Sequence, residues 1–319
     1  MNILITSAGQ RVSLIRFFKM ELKEVFKDAK VYAVDMNPQL SPACHVADGS
    51  LFIEHALSDN YINLLMKICK HWDIRLIIPT IDTELLVLSK NKHIFESEGI
   101  QIVISDFYFV NICRDKRLIN NFFIERLIDI PQPIDKNDPT FPLFIKPYDG
   151  SLSKDIFLIN QEGELTDYHF SNEKLMFMEY VNPNDYKEYT IDAYYNKQGE
   201  LKCCVPRERI AVRSGEISKG KTAKNFLHTY IFEKLSKIEG ARGCLTIQVF
   251  YNSKNNQVKA IEINPRFGGG YPLSYHAQAN YPKWIIEEYL LNKTINIFED
   301  WTNDLLMLRY DDEIIVKND

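Results

Sequence analysis

The sequence predicts an α/β domain followed by an α+β region, with each architecture confined to its own part of the chain. Strand-like and helix-like segments alternate through the first third, and this alternation is typical of a parallel sheet with right-handed crossovers. Beyond it, several strand-like segments come in succession before the next helix, which is typical of α+β architecture. The chain has 319 residues, a length that favours two or three domains over one.

Residues 1–112 carry the alternating pattern and are predicted to form a Rossmann-like domain of ordinary size. Apolar runs that end in turn residues predict the strands, and apolar residues spaced three and four apart predict the helices. The predicted strands are Asn2–Thr6, Lys30–Asp35, Leu76–Pro79 and Ile100–Ile104. The predicted helices are a segment that begins at Val12, then Tyr61–His71 and Thr83–Glu96.

A proline-rich connector over Ile128–Pro142 separates a predicted helix, Asp115–Leu127, from the α+β strands, because proline lacks the N–H that regular elements need. The predicted strands are Leu143–Pro147, Ile156–Ile159, Lys174–Val181, Glu188–Tyr195, Lys202–Val205, Cys244–Tyr251 and Val258–Asn264. The predicted helices are Asn225–Glu239 and Lys283–Asn292. We divide this region into a unit over 113–185 and a unit over 186–319.

Composition excludes several broad classes of protein. With 38 basic and 43 acidic residues, the net charge is −5, and the chain lacks the basic excess of nucleic-acid-binding proteins. No uncharged apolar run approaches the ~18 residues of a membrane span, and the N-terminus lacks the basic region of a signal peptide. The six cysteines form no CxxC pair and the seven histidines have no metal-ligand spacing. We therefore expect a cytoplasmic protein with reduced thiols, no zinc, and neither nucleic acid nor membrane as a partner.

The most informative segment is a predicted hairpin that ends in Glu262, Asn264 and Arg266. Side chains alternate along a strand, so Glu262 and Asn264 share one face. If residues 254–256 form a three-residue loop with an asparagine in the left-handed conformation, Gln248 lies opposite Glu262. Three oxygen-bearing side chains on one face suit a hard cation such as Mg²⁺, and Arg266 could hold a phosphate. The competing interpretation is an ordinary solvated strand face.

A second candidate site follows the strand Leu143–Pro147, which carries a single lysine, Lys146. A compact ammonium at a strand end suits phosphate oxygens, and a short loop with Gly150, Ser151 and Ser153 can supply N–H groups to the same oxygens. The same pattern also occurs in plain surface hairpins.

Two further segments carry polar groups at strand ends. Glu179, Tyr180 and Val181 end an apolar strand, where backbone groups can meet an adenine edge, although an exposed edge strand has the same pattern. Glu188 shares a strand face with Asp192, and such carboxylates can accept hydrogen bonds from ribose hydroxyls. Three consecutive glycines at 268–270 permit close approach of the backbone and favour a substrate- or phosphate-facing loop over a simple turn.

Taken together, these residues resemble the ATP-grasp superfamily, and in particular its carbamoyl-phosphate-synthase large-subunit-like branch. The resemblance rests on motifs in a shared order: a lysine before a glycine-serine loop, an apolar strand end, and a glutamine followed by Glu-x-Asn-Pro-Arg. It implies a pre-ATP-grasp domain over 1–112 and a two-lobed ATP-grasp domain, with the small lobe over 113–185 and the large lobe, which carries the metal, over 186–319.

The resemblance further implies an ATP-dependent ligase that joins a small-molecule carboxylate to an amine through an acyl phosphate. The implied cofactors are ATP and Mg²⁺, with Mn²⁺ as an alternative ion. The implied nucleotide-binding residues are Lys116, Lys146, Gly150, Ser151, Ser153, Glu179, Tyr180, Val181 and Glu188. The implied metal ligands are Gln248, Glu262 and Asn264. Arg266 would stabilise the transferring phosphoryl group, and Arg207, followed by Arg209, would face the acyl phosphate.

Some features leave other functions open. Leu152 and Asp155 stand where relatives have small residues, and this departure motivates a non-catalytic nucleotide-binding regulator as an alternative. Asp35 ends the second strand as in NAD-dependent oxidoreductases, but the turn at 7–11 lacks the G-x-G-x-x-G fingerprint. Substrates are expected to meet the loops after Ser7, Met36 and Thr80 and the segment 213–222. A homodimer is the base-rate expectation for the oligomeric state.

Overall fold

A computed structural model of the chain describes residues 1–150, 155–213 and 215–317. The α-helices, in chain order, are α1 Val12–Val25, α2 Pro42–Val46, α3 Tyr61–His71, α4 Asp82–Glu96, α5 Phe107–Arg114, α6 Lys116–Ile124, α7 Asp167–Ser171, α8 Phe226–Leu235, α9 Tyr271–His276 and α10 Tyr281–Leu290. The strands are β1 Asn2–Ile5, β2 Val31–Asp35, β3 Ser50–Phe52, β4 Ile74–Ile78, β5 Gln101–Ile102, β6 Leu143–Pro147, β7 Phe157–Ile159, β8 Leu175–Glu179, β9 Lys187–Tyr195, β10 Leu201–Arg213, β11 Glu216–Thr222, β12 Gly243–Asn252, β13 Gln257–Asn264 and β14 Leu306–Leu308. None of the helices in the described part combines the length and the apolarity that a membrane crossing requires.

The N-terminal sheet is parallel throughout, as the alternating pattern predicts, with strand order β3-β2-β1-β4-β5. The order reverses between β1 and β4, so the loops that follow these two strands emerge side by side at one edge. Thr80, after β4, donates its hydroxyl hydrogen to the carbonyl oxygens of Thr6 and Ser7, at 2.9 and 2.8 Å. These two loops are thereby tied together on the side of the sheet that faces the rest of the molecule.

A small antiparallel sheet of three strands, in the order β7-β6-β8, follows the proline-rich connector. Alternate side chains of these strands form a separate core of Leu143, Ile145, Ile159, Leu175 and Phe177. The other residues of β6, including Lys146, therefore point to the opposite face of this sheet.

The largest sheet is antiparallel with six strands in the order β13-β12-β9-β10-β11-β14. Helices α5, α6 and α8 pack against one of its faces, and α1, α9 and α10 contribute to the core on the other. The strand predicted over Lys202–Val205 extends to Arg213, because Pro206 lies opposite Ile191 without ending the ladder. Helix α6, which we assigned to the small lobe, packs against this large sheet, and the division at 112 and 185 stays a prediction.

Several elements were not predicted because their local patterns are weak. Strand β3 is short and largely exposed, and β11 alternates lysines with small residues at 216–222. Strand β14 has three residues at the sheet edge. Helices α2, α5, α7 and α9 have five to eight residues each, too short for a clear helical period. The third glycine of 268–270 immediately precedes α9, so the predicted loop is also the N-terminal boundary of a helix.

Candidate active site

Strands β12 and β13 place Gln248 directly opposite Glu262, as predicted. The connecting loop is one residue longer than predicted, because the last strand pair is Asn252 with Gln257. A register shift immediately after Gln248 compensates for the extra residue. Asn256 adopts the left-handed conformation, with φ of 59°, as expected for an asparagine in this turn.

The side chains at this strand pair fit a hard cation. Asn264 Nδ2 donates a hydrogen bond of 2.8 Å to Glu262 Oε1, and the amide oxygen of Asn264 takes no part in this hydrogen bond. Glu262 is a partly buried carboxylate, and Gln248 adds a second amide oxygen across the ladder. The described residues contain no group of three or more histidine, cysteine and acidic side chains that could hold a metal ion. A set of one carboxylate and two amides suits a magnesium ion that is also held by water and phosphate.

Two lysines approach the same carboxylate from outside the strand pair. Lys116, at the start of α6, donates to the carbonyl oxygen of Gly150 at 2.7 Å, and its Nζ lies 4.0 Å from Glu262 Oε2. Burial lowers the pKa of Lys146 to about 8, although Glu262 acts in the opposite direction. Ser151 and Ser153, the other predicted members of this loop, lie outside the described residues.

Glu188 points into the same region from β9, where Arg209 Nε lies 3.1 Å from its carboxylate. Burial raises the pKa of Glu188, and the nearby Glu262 raises it further, while Arg209 lowers it. Asp192, which we expected on the same strand face, is fully buried and makes a bidentate ion pair with Arg207 instead. Asp192 is therefore unavailable to a ribose, and of the two carboxylates only Glu188 stays accessible.

Glu179 ends β8 with its side chain already engaged. The carboxylate forms an ion pair with Lys259 and accepts the N–H of Gln132 at 3.0 Å. These contacts hold the connector before β6 against the end of β8. Tyr180 and Val181 come next, beyond the last residue of the strand, with Tyr180 half-buried and Val181 buried.

A cleft lined with arginines continues from Gln248 toward the N-terminal domain. Arg266 donates to Asp82 Oδ2 at 2.7 Å, and this ion pair joins β13 to the start of α4. Burial lowers the pKa of Arg266, but Asp82, Glu262 and Glu216 together outweigh burial and the net effect is an increase. The lining consists of Arg11, Thr190, Arg207, Arg209, Gly215, Glu216, Ile217, Thr246, Gln248, Arg266, Gly268, Gly269 and Gly270.

Arg207 is the most deeply buried cation of this cleft. Its side chain is 1% exposed, and Nε and Nη2 donate to Asp192 at 2.8 and 2.9 Å. Ser274 Oγ also donates to Asp192, at 2.6 Å, so the carboxylate is held from two sides. The remaining nitrogen, Nη1, is buried and has no hydrogen-bond partner among the described residues. A buried donor without a partner is costly, and a bound oxygen atom would satisfy it.

Arg266 and Arg207 are predicted from the sequence, whereas Arg11, Asp82 and Glu216 are not. The loops after Ser7 and Thr80 and the segment 213–222, which are predicted to meet substrates, contain all three residues. Charged residues are frequent in such loops, so the sequence gives no signal that singles out one of them. The loop after Met36 contributes nothing to the described lining of the cleft.

Two family models match separate parts of the chain. Residues 3–103 match the PylC-like N-terminal domain, and residues 171–307 match the ATP-grasp domain found in the biosynthetic pathway with the Ter operon. A search of curated proteins found no match to the sequence.

Solved structures resemble the whole chain at low sequence identity. The biotin carboxylase domain of 2-oxoglutarate carboxylase from Hydrogenobacter thermophilus, with MgADP, ADP and bicarbonate, has a TM-score of 0.72 at 14% identity, covering 95% of this chain and 73% of that one. N5-carboxyaminoimidazole synthetase from Staphylococcus aureus, complexed with ADP, has a TM-score of 0.70 at 18% identity, and the match covers 97% of this chain and 82% of that one. An L-amino acid ligase from Bacillus licheniformis has a TM-score of 0.66 at 13% identity, and the match covers 91% of this chain and 74% of that one.

At these identities the structural matches establish the fold, and the family models add evidence from the sequence. The parallel N-terminal sheet, the small three-stranded sheet and the large antiparallel sheet occur in the order that the resemblance implies. The chain therefore has the fold of these structures, and its residues 171–307 match an ATP-grasp family model.

Proposed function

We propose that the chain is an ATP-dependent ligase that joins a small-molecule carboxylate to an amine and releases ADP and phosphate. The observation that carries this proposal is the convergence at β13. Glu262 lies opposite Gln248 and beside Asn264, with Lys116 within 4.0 Å and Arg266 two positions farther along the chain. Oxygen ligands for a cation and several basic groups for phosphates thus meet at one place, as phosphoryl transfer requires.

In this proposal the nucleotide lies between the three-stranded sheet and the large sheet. Lys116 and Lys146 bind its phosphates, together with the loop that begins at Gly150. The backbone of residues 179–181 meets the adenine, and Glu188 accepts hydrogen bonds from the ribose. Mg²⁺, or Mn²⁺ in its place, binds to Gln248, Glu262 and Asn264.

The reaction follows from the charges around the cleft. A carboxylate oxygen of the substrate attacks the γ-phosphorus of ATP, and ADP leaves with the electron pair of the broken P–O bond. The amine nitrogen then attacks the acyl carbon, and phosphate departs with its new oxygen. The bound cation supplies neutralisation of charge on the β- and γ-phosphate oxygens. Arg266 stabilises the transferring phosphoryl group, and Arg207 Nη1 donates to the substrate carboxylate. Ion pairs with Asp82 and Asp192, respectively, hold the two arginines in place for these roles.

The partners in this proposal are small molecules, and neither nucleic acid nor membrane is required. We place the protein in the cytoplasm, as a homodimer, with the N-terminal domain over 1–112, the small lobe over 113–185 and the large lobe over 186–319. The size of the oligomer can be measured by light scattering on the purified chain.

Thermal unfolding in the presence of nucleotides tests the nucleotide assignment. We expect Mg-ATP and Mg-ADP at millimolar concentration to raise the unfolding temperature, because a ligand that binds only the folded state stabilises it. We expect NAD to have no effect. Stabilisation by NAD and not by Mg-ATP would contradict the proposal and favour an oxidoreductase that uses the N-terminal domain.

A further inference from the structure

The three glycines bring two oppositely charged side chains against neighbouring points of the backbone. A Cβ atom built on Gly270 would lie 2.2 Å from Arg207 Nη1, and one built on Gly269 would lie 2.2 Å from Glu216 Oε2. Consecutive Cα atoms are about 3.8 Å apart, so the guanidinium and the carboxylate approach adjacent positions. The cleft therefore presents a donor and an acceptor beside neighbouring residues of the glycine loop.

Glu216 is the only carboxylate among the described residues that line this cleft. It belongs to β11, and two arginines pair with its carboxylate. Arg309 Nη1 donates to Glu216 Oε2 at 2.9 Å, while Arg11 Nη1 is 3.5 Å from Oε1. The side chain is 45% exposed, so Oε1 still has room for a further partner.

The two side chains beside the glycine loop, Arg207 and Glu216, lack different hydrogen-bond partners. Arg207 lacks an acceptor for a buried N–H group, as described above. Among the described residues, Glu216 Oε1 has an ion pair with Arg11 at 3.5 Å, which is longer than an ordinary hydrogen bond. Burial alone would raise the pKa of Glu216, but Arg11, Arg309 and Arg266 together lower it, and the group stays ionised at neutral pH. A ligand that satisfies both residues carries a negative group and a positive group only a few ångströms apart.

We infer that Glu216 is a specificity-determining residue that binds the ammonium group of the carboxylate substrate, and that this substrate is a zwitterion of the α-amino acid class. The inference rests on the proposed ligase function. The substrate carboxylate lies at Arg207 Nη1 and Arg266, where it meets the γ-phosphate, and the ammonium group on the adjacent carbon lies at Glu216 Oε1. Gly269 and Gly270 leave the space into which the Glu216 and Arg207 side chains reach.

Matched pairs of acids test this inference, because each pair differs only in the ammonium group. The wild-type chain is incubated with Mg-ATP, hydroxylamine and one acid at a time, such as L-alanine against propionate or L-glutamate against glutarate. Hydroxylamine nitrogen attacks the acyl phosphate carbon and phosphate leaves, so the hydroxamate reports activation of the acid whatever the natural amine is. We expect kcat/KM for at least one amino acid to exceed that of its partner by about tenfold or more.

Glu216→Gln provides the decisive comparison, since it keeps the shape of the side chain and removes its charge. We expect the preference for the amino acid over its matched acid to fall by about tenfold, mostly through KM. Glu313→Gln, which changes an exposed acid outside the cleft, serves as the control and should leave the preference as in the wild type. A purely structural role for Glu216 predicts equal losses for both acids and an unchanged preference, and that result would overturn the inference.

The remaining outcomes separate the inference from the proposed function. Hydroxamate formation from matched acids without any preference for amino acids would overturn the inference and leave the ligase function standing. If no acid yields hydroxamate, stabilisation by amino acids in the presence of Mg-ADP becomes the readout. Absence of that stabilisation also overturns the inference, whereas the unfolding temperature with Mg-ATP reports on the nucleotide site independently.

Discussion

Lys146 shows how a single residue acquires a property that its sequence context does not reveal. It was predicted from one lysine in an apolar strand, and β6 indeed has the predicted bounds. The structure adds that Lys146 is partly buried near Glu262 and Lys116, which the sequence places far apart along the chain. Distance along the chain conceals this juxtaposition, so the pKa of about 8 could not be predicted from the sequence.

The lowered pKa of Lys146 predicts that nucleotide binding weakens as the pH rises. Below pH 8 the ammonium is charged and attracts phosphates, and above it the proton is lost from the nucleotide-free protein. We expect the Kd for Mg-ATP, measured by calorimetry, to increase between pH 7 and pH 9, by up to about tenfold per pH unit above 8. The same shift lowers the stability of the fold at neutral pH, and this cost disappears as the pH rises from about 8 toward 10.5.

Lys146→Arg is the control for this pH profile, because a guanidinium keeps its charge over the whole range. We expect the Kd of this variant to change less between pH 7 and pH 9. A variant profile as steep as that of the wild type would show that another group is responsible.

Arg207 illustrates the other limit of sequence reasoning at this scale. The resemblance predicts that Arg207 lies near the acyl phosphate, but a different role was predicted for Asp192, its fully buried partner. Asp192 was expected to face a ribose, whereas it holds Arg207 in a bidentate pair at the centre of the large sheet. The alternation of a strand shows which residues share a face, but not which face a neighbouring helix such as α9 covers.

At the scale of elements, the β12–β13 hairpin was predictable because strand alternation and turn chemistry agree. The pairing of Gln248 with Glu262 holds even though the loop has one more residue than predicted. Elements that depend on distant partners were missed. Strand β11 has few apolar residues and pairs with β10 and β14, and β14 lies more than 80 residues later in the chain.

The glycine loop before α9 gives a prediction at this scale. In Gly270→Ala the new methyl group would lie 2.2 Å from Arg207 Nη1, and Asp192 prevents the guanidinium from moving away. We expect the free energy of unfolding to fall by about 1–3 kcal/mol, as is usual for an overpacked site, and the urea concentration at the unfolding midpoint to fall with it. We also expect lower ADP release, because Arg207 is displaced from its position in the cleft.

Gly163→Ala is the matched control, since a Cβ atom at Gly163 would meet no other atom within 4 Å. We expect this variant to unfold at nearly the same urea concentration as the wild type. Equal effects of the two substitutions would contradict the close packing described for Gly270.

At the scale of the whole molecule, the large antiparallel sheet and the N-terminal domain together line one cleft. The alternating first third and the antiparallel remainder were predictable from periodicity, which depends on local sequence alone. How the domains meet was not, because it depends on single contacts such as Arg266 with Asp82, which are separated by 184 residues. That ion pair, together with the one between Arg11 and Glu216, brings the loops that follow β1 and β4 to the end of β13. The N-terminal domain thus completes the cleft that the large sheet begins.

The most direct test of the ligase function is carboxylate-dependent ADP release, measured over a set of carboxylic acids with hydroxylamine present. We predict that the wild-type chain and Glu233→Gln, a change at an exposed residue of α8, release ADP only when a suitable acid is added. We predict that Glu262→Gln folds normally by circular dichroism but releases ADP at least about 100-fold more slowly, since it loses a charged metal ligand. Tight Mg-ATP binding without ADP release from any acid, or an unchanged rate in Glu262→Gln, would contradict the account and favour a nucleotide-binding regulator or a different metal site.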